Sequence, residues 1–89
     1  MPKITVNVTQ KDIDEGAPKS QCLCPVALAI RALTRMKVYV CGHEVRFYVA
    51  KTHAIPYIAE LPADASSFIR NFDAGVSVSP FSFYLEVPE

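Results

Sequence analysis

Glycine is scarce in this chain, three residues in 89, and none are spaced as a phosphate-cradling loop. That sets aside the Gly-rich nucleotide-binding fingerprints. A charge excess is missing as well, since nine basic and nine acidic residues cancel. Nucleic-acid binders draw most of their non-specific affinity from Lys and Arg neutralising phosphates, so nucleic acid is disfavoured as a partner. No apolar run approaches the roughly 20 residues of a membrane-spanning helix. The opening Met1-Pro2-Lys3-Ile4 is followed at once by polar residues, unlike a secretory leader, and the expected setting is a cytoplasm. Three cysteines, an odd count, then read as reduced thiols and not as a disulfide framework.

What is present is ordinary globular composition, with 51% hydrophobic and 20% charged residues. The length allows a single domain, residues 1–89, which buries only roughly 60% of its unfolded surface. Such a chain holds one core but has little room for a deep, enclosed active site. Near-zero net charge favours self-association, so a homo-oligomer is one expectation.

Alternation places the strands. Ile4, Val6 and Val8 alternate with Thr5, Asn7 and Thr9, which predicts a strand over 3–8. Thr9-Gln10-Lys11-Asp12 matches a capping box and opens a one-turn helix through Glu15, closed by Gly16. Cys24-Pro25 starts the main helix, with Pro25 in the tolerated first position and Val26, Ile30 and Leu33 as its apolar stripe, ending near Arg35. Lys37 to Cys41 and Glu44 to Ala50 predict a hairpin whose Gly42 is free to take positive φ. Ile55 to Ile58 suits a short edge strand, because Pro56 is tolerated at an edge. Pro62 opens a second helix carrying Phe68, Ile69 and Phe72, closed by Gly75, and Phe81 to Val87 is the last strand. The expected fold is therefore α+β, a four-stranded antiparallel-type sheet with two helices on one face. The order β-α-β-β-α-β is that of the ferredoxin-like unit. A different α+β meander is the rival if residues 54–59 form a strand.

Four constellations can carry chemistry. Cys22-x-Cys24 and Cys41-x-His43 together make a Cys3His set, a recognised structural zinc site. Zinc pairs usually have two to four intervening residues and these have one. The alternative is structural use of each residue: a helix start, a buried thiol, an exposed turn. Cys24 also sits where a helix N-terminus lowers a thiol pKa, with His43 or His53 as a base, yet no oxyanion hole can be named. The polar sheet face gathers Thr5, Asn7, Tyr39, Arg46, Tyr48 and Tyr84, an aromatic-plus-Arg surface. RNA recognition motifs stack bases on such a face, but Glu44 to Val49 lacks their Gly-aromatic pattern and Thr5 stands where a stacking ring belongs. Tyr39, Arg46, Tyr48 and Tyr84 are thus the candidate protein-binding surface. Finally, Arg31, Arg35 and Lys37 form a basic cluster at a helix end, suited to the helix dipole, to a phosphate or to an acidic partner.

Two stretches carry a resemblance. One is Asp12-Ile13-Asp14-Glu15-Gly16 followed by Cys24-Pro25-Val26-Ala27-Leu28-Ala29. The other is Leu61-Pro62, Phe68 to Gly75, and Pro80-Phe81-Ser82-Phe83. Together they resemble small uncharacterised proteins encoded by bacteriophages and prophages, over most of the chain except the central hairpin. The resemblance implies a setting, an accessory protein in a bacterial host cytoplasm, and no functional residue. The leading expectation is a non-enzymatic phage accessory protein that binds a host or phage protein, as an inhibitor of a host process or defence system, with no cofactor. The alternatives are a zinc-stabilised module on Cys22, Cys24, Cys41 and His43, and a homodimer that binds a small ligand such as a nucleotide near Arg31 and Arg35.

Overall fold

The computed structural model describes residues 3–48 and 57–87. The elements run β1 Lys3–Val8, α1 Gln10–Glu15, α2 Pro25–Thr34, β2 Lys37–Cys41, β3 Glu44–Tyr48, β4 Tyr57–Glu60, α3 Ala63–Asp73 and β5 Phe81–Glu86. Residues 49–56, which include parts of two expected strands, lie outside the described residues.

The chain is α+β, but its described strands form two antiparallel sheets, β1-β5 and β2-β3-β4, where one four-stranded sheet was expected. The reason is the fifth strand. Tyr57–Glu60 takes the free side of β3 in register Val45↔Ala59 and Phe47↔Tyr57. Among the described residues β1 is left with β5 as its only ladder partner, in register Val6↔Phe83. The ferredoxin-like unit is therefore not seen, and the expected one-turn helix joins the two longer ones as α1.

The helix ends obey local chemistry. Thr9 caps α1 through Oγ1, which accepts from the Asp12 amide, while the Asp12 carboxylate accepts from the Thr9 amide. Both halves of the capping box are made, worth about 1 kcal/mol. Gly16 closes α1 with ordinary φ, and its need is space: a Cβ there would lie 2.7 Å from the Pro25 ring. That contact is where α1 turns down onto α2. α2 ends on Arg35, whose φ of 58° is left-handed. α3 ends on Ala74 and Gly75, the latter at φ 79° as a C′ residue requires.

α2 contacts β1 on one side and β2 on the other, and so joins the two sheets. Val26, Ala27 and Ile30 give it a fully buried face. Leu33, placed on that stripe by spacing, is 53% exposed. Burial runs through Val26, Ala27, Ala29 and Ile30 and stops there, so Leu33, on the same side of the helix, lies beyond the covered length. Val38, Val40, Val45 and Phe47 bury the inner face of the hairpin, and Val6, Val8, Phe83 and Leu85 that of the other sheet. Each such side chain contributes about 1.5–3 kcal/mol by leaving water. α3 adds Phe68, whose ring centroid lies 4.7 Å from that of Phe81. The 16–21 loop is fastened to the far end of α3, where the Lys19 amide donates to the Asp73 carboxylate at 2.8 Å. Gly42 does not use its freedom to enter the left-handed region. A Cβ at Gly42 would meet nothing within 4 Å, so the turn does not depend on glycine there.

Candidate functional site

The four zinc candidates are put to separate uses. Cys24 is 2% exposed and is the N-cap of α2, its Sγ accepting from the Ala27 amide at 3.4 Å. Burial pushes this thiol up from its ordinary range, and the amides of Ala27 and Val26 oppose the shift without cancelling it. A thiol shifted upward is a poor nucleophile, the reverse of the activation a helix N-terminus was expected to give. Cys41 is half-buried and accepts from Gln21 Nε2 at 3.4 Å. Cys22 is half-buried in the loop before α2. His43 is exposed in the β2-β3 turn, 3.7 Å from Glu44. Among the described residues no group of three or more His, Cys, Asp or Glu is disposed to hold a metal ion.

The basic cluster, by contrast, is brought together. Arg31 and Arg35 from α2 and Lys37 from β2 line one open groove of about 700 Å³. Cys22, Leu28, Ala32, Met36, Val38 and Tyr39 line the rest of it. The Lys37 ammonium lies 5.7 Å from the centre of the Tyr39 ring, within cation–π range.

The proposed sheet face is only partly assembled. Tyr39 and Tyr48 meet edge to face with centroids 5.2 Å apart. Arg46 sits opposite Tyr39 on the neighbouring strand and donates to Glu44 at 2.8 Å, which raises its pKa further. Tyr84 is elsewhere, on β5 opposite Thr5, and is 67% exposed. It lines a second open groove, about 560 Å³, with Lys3, Glu86 and the whole of β4. Ile58, missed by sequence reasoning, is there too, 53% exposed. Only its place in an isolated β-type run beside Pro56 hinted at an edge strand.

The main chain makes this second groove distinctive. Leu61 N–H donates to His43 C=O at 2.9 Å, one step beyond the pair Glu44↔Glu60. Hydrogen-bonded and non-bonded pairs alternate along an antiparallel ladder. Counting from His43↔Leu61, the bonded pairs are Val45↔Ala59 and Phe47↔Tyr57. Ile58 and Glu60 therefore turn their N–H and C=O groups away from β3, toward β5. Among the described residues these groups have no backbone partner. β4 and β5 approach one another but form no ladder.

Among the described residues no helix is long and apolar enough to cross a membrane. Comparison with protein-family models, curated proteins and solved structures finds no match to the chain.

Proposed function

We propose that this chain is a non-enzymatic protein-binding module that takes an extended segment of a partner protein at the β4 edge. One observation carries the reading: a strand edge whose Ile58 and Glu60 N–H and C=O groups have no backbone partner among the described residues lies beside two exposed apolar side chains, Ile58 and Tyr84. Strand addition uses these features, the main chain for affinity and alternate side-chain seats for specificity. Glu60 and Glu86 against a single Lys3 leave the groove acidic, so the favoured segment alternates an apolar residue with a basic one. Tyr39, Tyr48 and Arg46 extend the face for the rest of the partner. A phage accessory protein that binds a host or phage protein, and inhibits a host process or defence system, is the biological form of this reading. That form rests on the sequence resemblance.

The test is selection of extended peptides on the immobilised protein, followed by amide hydrogen exchange of the complex. Selected peptides are expected to protect the amides of Ile58 and Glu60, and Ile58→Asp to weaken them by about tenfold or more. Peptides that ignore Ile58→Asp and Tyr84→Ala would remove the β4 edge as the docking surface.

A further inference from the structure

The basic groove on the other side of the hairpin differs chemically from the β4 edge. Its lining contains Arg31, Arg35 and Lys37 and no carboxylate. Among the described residues none of the three cations forms an ion pair, while Arg46 has Glu44. Like charges that converge without a counter-charge repel one another, and a bound anion relieves that. Arg31 is partly held in place, its guanidinium donating to the Cys22 carbonyl at 3.4 Å. Arg35 projects from a left-handed residue at the helix end, a conformation that costs a non-glycine residue about 1–2 kcal/mol. A glycine would cap the helix with less strain, so the sequence keeps a cation here against the local backbone preference.

The main chain argues against a peptide here. The outward amide of Val40 is already taken by the Gln21 carbonyl at 2.7 Å, and Val38 is 1% exposed. The β2 edge therefore offers no run of free backbone groups. A compact ligand is favoured, and the groove's volume falls within the roughly 300–1,000 Å³ of small-molecule sites. Two guanidinium forks match phosphate oxygens, and Leu28, Met36 and the Tyr39 ring provide an apolar seat beside them. We infer that this groove binds a small phosphorylated molecule with a flat apolar body, of the nucleoside phosphate class, its phosphates on Arg31, Arg35 and Lys37.

The experiment is calorimetric titration of the full chain at low salt with ADP, inorganic pyrophosphate, adenosine and hexaglutamate. Saturable ADP binding is expected, with pyrophosphate weaker, adenosine undetectable, and affinity falling as salt rises. Arg35→Gly removes one cation while easing the backbone and Arg31→Gln removes another; each is expected to weaken ADP about tenfold without lowering Tm. No saturable ADP binding, or ADP binding that ignores both substitutions, overturns the inference. Hexaglutamate binding tighter than ADP also overturns it, in favour of an acidic peptide. Binding of pyrophosphate equal to ADP removes the apolar seat and with it the nucleoside class. None of these variants touches Ile58 or Tyr84, so the strand-addition reading stands or falls separately.

Discussion

Cys24 shows two rules competing at one atom. The N-terminus of α2 stabilises a thiolate through the amides of Val26 and Ala27, and burial opposes it. Burial is the larger effect, so the folded chain holds the neutral thiol above the pH at which the unfolded chain loses its proton. Its contribution to stability is therefore full below the ordinary thiol pKa and is lost as pH rises through the folded value. Cys24→Ala is expected to destabilise the protein at neutral pH by a margin that shrinks as pH rises past the ordinary thiol pKa of about 8.5, as read by urea denaturation. In alkylation of the native protein, Cys22 and Cys41 are expected to react first and Cys24 only with unfolding, as mapped by peptide mass. Early labelling of Cys24 would mean the site opens locally.

At the scale of elements, periodicity and exposure part company on the helices. The capping box of α1, the Pro25 start of α2 and the Gly75 end of α3 were legible because each is written in three or four adjacent residues. Leu33 was misread because spacing gives a direction around a helix but not how far along its axis the cover extends. Tyr84 was placed with Tyr39 and Tyr48 because alternation assigns a face to each strand, not the sheet the strand joins. Among the described residues the zinc set is not gathered, and Cys24 takes the helix-start use that the sequence offered as the alternative. The basic cluster did converge, since Arg31, Arg35 and Lys37 are neighbours in the chain across the single α2-β2 connection. Packing on α3 tests the same distinction. Phe68 is 7% exposed against Phe72 and Phe81, and Phe68→Ala is expected to cost about 3–5 kcal/mol in chemical denaturation. Leu33→Ala, though equally apolar, is expected to stay within about 0.5 kcal/mol. Equal losses would mean that Leu33 is covered in solution.

At the scale of the whole molecule, α2 and the β2-β3 hairpin are contiguous in the chain, whereas β1 depends on β5. Asn7 and Ser82, hydrogen-bonded across that pair, are 75 residues apart. Closing a loop of that length costs entropy before any contact repays it. The order of events in folding follows from this. The hairpin and α2 are expected to form the nucleus, and the two terminal strands to zip together after the barrier is crossed. Val38→Ala is expected to slow folding with a φ-value above about 0.5, and Leu85→Ala to speed unfolding with one below about 0.3, as read in stopped-flow chevrons. The reverse order would place the nucleus in the terminal pair. With the terminal pair as the last to close, it is also the first to open. A protease or a pulling force acting on the terminal strands is then expected to meet the joint that opens first.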